Sequence, residues 1–217
     1  MKSFFLLFLL VLSAGCENSK EDGLLKNALA ADRDWKKVST ENFILYAPLE
    51  SPAAKKLSAF GIDAEAARLQ VMEQLQVVKQ EESAVLIFTT SPEEMLQFSG
   101  VRTSGRAVID ENGIFFLAET FSAPAFKKEL GRLYSWRSWG KPSNFWFDEG
   151  MAVYAAGDCA GEDLHAWVSK LASENKLTDF SELEAEKEGY PSYTSIQAGS
   201  FVKYLMEKYG ILSFRMF

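Results

Sequence analysis

Histidine and clustered basic residues are what this sequence has least of. It contains one histidine among 217 residues, carries a net charge of −7, and shows no run of Lys and Arg. A single histidine excludes any catalytic or metal site that needs two imidazoles. An acidic chain without a basic patch lacks the electrostatic footprint of a nucleic-acid-binding protein. We therefore exclude nucleic-acid binding.

Apolar surface, in contrast, is plentiful. Hydrophobic residues make up 47% of the chain, with 17 Phe, 5 Trp and 7 Tyr. That is enough to form the core of one ordinary globular domain without disulfide bonds. The composition excludes disordered, collagen-like, coiled-coil and many-repeat proteins. It predicts one globular domain with a short appendage.

The first 15 residues have the three parts of a signal peptide. Lys2 is basic, residues 4–12 are uninterruptedly apolar, and residues 13–15 are the small residues Ser-Ala-Gly. As a helix, the apolar run covers only about 13 Å of a bilayer core of about 30 Å, so it is too short to be a transmembrane anchor.

The sequence Leu-Ser-Ala-Gly-Cys that ends at Cys16 resembles the lipobox of bacterial lipoproteins. The resemblance implies a diacylglycerol on the Cys16 thiol, cleavage before Cys16, and palmitate-like acylation of the new amine. Two or three acyl chains, at about 0.8 kcal/mol per buried methylene, hold a protein on a membrane almost permanently. We expect a location in the bacterial cell envelope, facing the periplasm or the cell surface. Ser13 departs from the family, and an ordinary signal sequence followed by a buried Cys16 is the alternative.

The remaining sequence predicts an α+β domain at residues 35–217, joined to the lipid by a tether at residues 16–34. Residues 35–121 form its α/β part, with a small mixed sheet, and residues 122–217 its helical part. The predicted elements are a strand at 35–48, a helix at 53–78 that is either continuous or broken into two near Gly61, a strand at 84–88, a helix from Ser91 to Gly100, a hairpin around 111–113, and helices after Ser122, near 147–154, at 163–171 and at 200–209.

Two segments of the helical part carry a recognisable pattern. Residues 128–134 read Lys-Glu-Leu-Gly-Arg-Leu-Tyr, and residues 146–154 read Trp-Phe-Asp-Glu-Gly-Met-Ala-Val-Tyr. They resemble the gluzincin metallopeptidases, in which a His-Glu-x-x-His helix precedes a helix that begins Trp-x-x-Glu-Gly-x-Ala-x-Tyr. The resemblance covers about residues 35–210. It implies a peptidase MA-like domain of zincin-like architecture, with Glu129 at the general-base position and Glu149 at the third zinc-ligand position.

The sequence departs from that family at both histidine positions, which hold Lys128 and Arg132. Zinc needs lone-pair donors, and two cations repel it. We therefore expect no metal cofactor and a pseudoenzyme in which Lys128 and Arg132 replace the charge of zinc. Arginine suits this role because its planar group stays charged and binds carboxylates with two hydrogen bonds. The alternative is that these cations are solvated on an exposed face and the likeness is coincidental.

These observations predict a binding or structural module that recognises a peptide, a polysaccharide or a protein. One alternative is a metallopeptidase-like hydrolase with an atypical site around Glu129 and Glu149; another is a remnant without present function. Other candidate residues have structural explanations: we expect His165 on the surface, Cys159 as an apolar filler, the acidic run 182–188 in solvent, and four aromatic residues packed on the core, which are Trp136, Trp139, Phe145 and Trp146.

Overall fold

The computed structural model describes residues 23–78, 82–158, 161–179 and 192–215. These residues form an α+β fold in which a five-stranded sheet precedes a helical half. The strands are β1 (Trp35–Ser39), β2 (Phe43–Pro48), β3 (Ala84–Thr89), β4 (Gly105–Val108) and β5 (Gly113–Leu117). The helices are α1 (Leu24–Leu29), α2 (Pro52–Leu75), α3 (Pro92–Ser99), α4 (Ala123–Trp139), α5 (Phe145–Ala156), α6 (Leu164–Ser173), α7 (Ser192–Tyr209) and α8 (Ile211–Phe214). Within these ranges no helix is long and apolar enough to cross a membrane.

The sheet has the strand order β1-β2-β3-β5-β4. Strands β2, β3 and β5 are parallel neighbours, whereas the outer strands β1 and β4 pair antiparallel. Successive residues of the central strand β3 point to opposite faces. Leu86 and Phe88 pack in the larger core with α2 and α4, and Ile87 packs in a smaller core with α1 and α3. The prediction that this strand is buried on both faces is confirmed.

The predicted single strand at residues 35–48 is wrong, because the chain turns back within it. Strands β1 and β2 form an antiparallel pair. The turn between them is fixed by Glu65 of α2, whose carboxylate accepts hydrogen bonds from the Thr40 hydroxyl at 2.6 Å, the Asn42 N–H at 2.7 Å and the Asn42 side-chain amide at 2.8 Å. A local reading could not anticipate a turn that depends on a residue more than 20 positions away.

Helix α2 is continuous, which decides the question, left open by the sequence, of a break near Gly61. Gly61 serves close packing instead: a Cβ at this position would lie 2.8 Å from Thr40 Cγ2. The predicted hairpin around residues 111–113 and the Ser91 cap of α3 are confirmed. The final long helix, α7, begins eight residues earlier than the predicted 200–209.

The folded domain begins earlier than the tether prediction of residues 16–34 allows. Residues 24–29 form helix α1, which packs on the sheet with Leu25 and Ala28 buried. The Glu111 carboxylate accepts hydrogen bonds from the N–H groups of Leu25 and Lys26 at the start of this helix. The tether boundary at residue 34 is therefore wrong, because residues 24–29 are part of the packed domain.

Glycines set the spacing of the helical half. A Cβ at Gly131 of α4 would lie 2.3 Å from Ala155 Cβ on α5, and one at Gly150 of α5 would lie 2.8 Å from the Ala198 carbonyl oxygen on α7. Such distances are too short for any side chain, so both contacts require glycine. Helix α5 is thus held tightly between α4 and α7, and this arrangement builds the site.

Candidate functional site

Helix α4 presents the first part of the site. It begins after Ser122, whose Oγ accepts a hydrogen bond from the Ala125 N–H at 3.4 Å, as is typical of an N-cap. Because residues three and four positions apart share a helix face, Arg132 lies beside both Lys128 and Glu129. The spacing of the sequence motif therefore places all three charged groups on the side of α4 that faces α5.

Helix α5 presents the second part. Its N-cap is Asn144, whose side-chain oxygen accepts a hydrogen bond from the Phe147 N–H at 3.0 Å. Asp148 lies in the first turn and Glu149 follows it. The N-terminal end of a helix favours carboxylates through the aligned peptide dipoles. Two carboxylates therefore face α4 from a favourable position.

The guanidinium of Arg132 occupies the centre of the site and contacts three carboxylates. Its Nη1 donates to both oxygens of Glu129, at 2.9 and 2.8 Å. Its Nη2 donates to Glu149 Oε2 at 2.7 Å, and its Nε donates to Asp148 Oδ2 at 2.9 Å. The Arg132 side chain is only 16% exposed. Every nitrogen of this guanidinium is therefore bonded to an acidic partner.

The other oxygen of Glu149 is satisfied as well. Glu149 Oε1 accepts hydrogen bonds from the Lys128 ammonium and, at 2.7 Å, from the Ser195 hydroxyl. Ser195 belongs to α7, so the carboxylate joins three helices. Glu149 is a buried residue, and burial of a charged carboxylate is tolerated when it is paired and hydrogen-bonded.

Glu129 connects the helices to the edge of the sheet. Its Oε2 accepts a hydrogen bond from the Ala107 N–H of β4 at 3.1 Å. Gly105 allows this approach, because a Cβ there would lie 2.9 Å from Glu129 Cγ and 2.7 Å from the Phe116 ring. One N–H of the edge strand is therefore used by the site itself.

Opposing effects determine the protonation of Arg132 and Glu149. Burial lowers the pKa of Arg132, but the charges of Glu129, Asp148 and Glu149 outweigh it and raise the pKa above its ordinary value. Burial raises the pKa of Glu149, but the charges of Lys128 and Arg132 outweigh it and hold the pKa below its ordinary value. Both groups are therefore charged at neutral pH.

Two site residues were not identified from the sequence. Asp148 bonds to Arg132 and also accepts a hydrogen bond from the Trp136 indole N–H at 2.6 Å. Ser195 lies before the range predicted for its helix. The position of Asp148 in the first turn of the second motif helix could have indicated that it belongs to the site. No local signal points to Ser195, because its role depends on how α7 packs.

Other sequence candidates lie away from this cluster. His165 is on α6, where its ring nitrogens contact Ser200 Oγ at 2.7 Å and Glu207 Oε2 at 3.3 Å. Trp146 is buried and stacks on Phe147 with ring centroids 3.9 Å apart, so it packs on the core. Cys16, Cys159 and the acidic run 182–188 lie outside the described residues.

The residues present do not fit a gluzincin zinc site. Lys128 and Arg132, which align with the histidines of the motif that the sequence resembles, are cations already bonded to Glu149 and Glu129. Within the described ranges there is no group of three His, Cys, Asp or Glu side chains arranged to hold a metal. The arrangement is that of a buried ion-pair network, which fixes α4, α5, α7 and β4 relative to one another.

Comparison with known proteins adds no family assignment: no protein-family model matches the chain, and no curated protein matches it.

Proposed function

We propose that this chain is a lipid-anchored protein of the bacterial envelope whose gluzincin-like domain works without zinc or catalysis, as a binding or structural module. The observation that carries the proposal is the Arg132 guanidinium, bonded at once to Glu129, Asp148 and Glu149. It occupies the position of the second histidine in the family that the sequence resembles.

The gluzincin-like interpretation is supported by the order and contacts of the elements. An antiparallel edge hairpin, β4 and β5, precedes α4, and the two motif helices are neighbours. Glu129 and Glu149 bond to the same side chain, as expected if both face one former metal position. The alternative of two solvated surface cations is disfavoured because Arg132 is largely buried.

The non-catalytic interpretation is supported by the state of both carboxylates. A general base must be free to accept a proton from water or substrate. Glu129 accepts two hydrogen bonds from Arg132 and one from Ala107, and Glu149 accepts bonds on both oxygens. Neither carboxylate has an oxygen without a donor. No contact among the described residues favours the alternative of a hydrolase built on this pair.

The envelope location is supported by the sequence of residues 1–16 alone, which lie outside the described residues. With a lipid on Cys16, the membrane is the partner of the N-terminal end of the mature chain. The folded domain would recognise a peptide, a polysaccharide or a protein of the envelope.

The test is the metal content and activity of the full chain, purified from membranes in detergent. We expect far less than one zinc ion per chain by elemental analysis, and no cleavage of a mixed peptide library. About one zinc ion per chain would contradict the proposal. So would peptide cleavage that disappears in the matched variant Glu129→Gln, because this result would establish the hydrolase alternative.

A further inference from the structure

A separate cavity of about 210 Å³ lies beyond the end of α4, between the loop to α5, α5 itself and α8. Its apolar lining includes Trp139, Phe147, Met151 and Phe214. Ligand sites are typically concave and mostly apolar, with a few polar groups at defined places. The cavity shares helices with the Arg132 network but none of its carboxylates, so it is a distinct site.

Two cations border this apolar cavity, Lys141 and Arg215. The Lys141 ammonium lies 5.3 Å from the centre of the Trp136 ring, and the Arg215 guanidinium lies 4.8 Å from that of Trp139. Arg215 also donates to the Gln76 carbonyl at 2.9 Å. Among the described residues neither cation has a carboxylate partner. In a chain with a net charge of −7, this is a local excess of positive charge.

The lining also contains a polar atom that the fold leaves unsatisfied. The indole nitrogen of Trp139 is buried, and no described residue accepts a hydrogen bond from it. Trp35, which does not line the cavity, has the same unsatisfied indole nitrogen, so this feature alone does not indicate a ligand. An acidic ligand in the cavity would bring acceptor oxygens to a region where the described lining residues supply two cations and no carboxylate.

We propose that this cavity binds carboxylates that carry a single aromatic or branched aliphatic group. A cavity of about 150 Å³ is large enough to hold benzene, so this one has room for a ring and a short linker. The ring or aliphatic group packs against the apolar lining, and Lys141 and Arg215 bind the carboxylate. Two sources share this chemistry: a free arylalkyl acid and the C-terminal residue of a peptide. The inference does not depend on the proposed function.

The test is a titration of the ¹⁵N-labelled full chain followed by NMR, with the Trp139 indole signal identified through Trp139→Phe. The probes are 3-phenylpropionate and Ala-Ala-Phe, each compared with its carboxamide. We expect at least one acid to shift the Trp139 signal and to bind about three- to fivefold more tightly than its amide, as one partly exposed charge contact allows. A shift by the small acid alone identifies free acids, and a stronger shift by the peptide identifies chain ends.

Three variants separate this site from nonspecific binding. Lys141→Gln and Arg215→Gln should each weaken acid binding by about three- to fivefold and leave amide binding unchanged. Lys170→Gln is the matched control, because the Lys170 ammonium lies 5.3 Å from the Trp167 ring in the same geometry but outside the cavity. Ser143→Trp, at the exposed rim, should block the cavity without disturbing the core. Equal affinity for acid and amide, or no shift of the Trp139 signal with any probe, would overturn the inference.

Discussion

Gly131 on α4 and Ala155 on α5 face each other between the two motif helices. A Cβ at residue 131 would lie 2.3 Å from the Cβ of Ala155. Because side chains of both helices meet at Arg132, this contact sets the distance over which the guanidinium reaches Asp148 and Glu149. The glycine is therefore as much a part of the site as the charges are.

Gly131→Ala should destabilise the protein by about 1–3 kcal/mol through overpacking. Alanine in a helix is intrinsically about 1 kcal/mol more favourable than glycine. A loss of stability in Gly131→Ala would therefore indicate a steric clash between the helices. Urea unfolding measures the change. The matched variant Gly131→Ala with Ala155→Gly exchanges the two residues and should recover part of the loss. A Gly131→Ala protein as stable as the parent would show that the helices are not in tight contact.

Arg132→Ala should lower the free energy of unfolding by about 3–5 kcal/mol, because it leaves buried carboxylates without their cation. Arg137→Ala is the control on the same helix. Its partner Glu82 is 76% exposed and 3.6 Å away, and a surface pair contributes about 0–1 kcal/mol. Denaturant unfolding of both variants separates these cases. A loss for Arg132→Ala no larger than that for Arg137→Ala would mean that the cation does not stabilise the network.

The double variant Lys128→His with Arg132→His rebuilds the sequence His-Glu-x-x-His ahead of Glu149. If the architecture is gluzincin-like, it should bind about one zinc ion per chain and show a zinc-dependent rise in melting temperature. The control is Lys127→His with Arg132→His, because residues five positions apart do not share a helix face. Absence of zinc binding to the first variant would contradict the gluzincin geometry.

The protein should lose stability on acidification, partly through Glu149. Burial raises the pKa of Glu149, but Lys128 and Arg132 outweigh it and hold the pKa below the ordinary value of 4.5. The stabilisation is therefore complete above about pH 4.5 and is lost as the pH falls through the folded-state pKa. Unfolding measured at a series of pH values should show a smaller acid loss in Glu149→Gln than in the parent.

The control for this comparison is Glu50→Gln, at an exposed residue. It should leave the pH dependence unchanged. Identical curves for the parent and Glu149→Gln would refute the role of Glu149 in acid sensitivity.

Cys16→Ser should release the protein from membranes, because it removes the thiol on which the proposed lipid is built. Fractionation and metabolic labelling with a palmitate analogue measure both effects. The control is Cys159→Ser, which should keep both the label and the membrane fraction. A Cys16→Ser protein that stays in the membrane fraction would argue against lipid anchoring.

Local signals predicted much of the fold. The Ser91 and Ser122 caps and the Asn-Gly hairpin depend on neighbouring residues, and the structure has all three. The misses share a different cause. The turn between β1 and β2 depends on Glu65, and the start of α1 depends on Glu111, which is 86 residues from Leu25. Local sequence patterns do not predict contacts between side chains that are so far apart along the chain.

In the site, too, some residues could be identified from the sequence and others depend on how the helices pack. Lys128, Glu129, Arg132 and Glu149 were identified through the resemblance to the gluzincin motifs, and the structure brings these four residues together. The sequence did not reveal that Asp148 would share the guanidinium. Which carboxylates surround an arginine is decided by the crossing of α4 and α5, and so by the glycine contact between them.

If the chain is anchored through Cys16 as proposed, the early start of α1 limits how far the domain can travel from the bilayer. Gly23, which precedes α1, lies seven residues after the proposed lipid on Cys16, and seven extended residues span at most about 25 Å. From Leu24 onward the chain is fastened to the sheet by Glu111. With the proposed lipid on Cys16, Gly23 would therefore stay within about 25 Å of the bilayer surface, and the domain would meet only partners that approach the membrane.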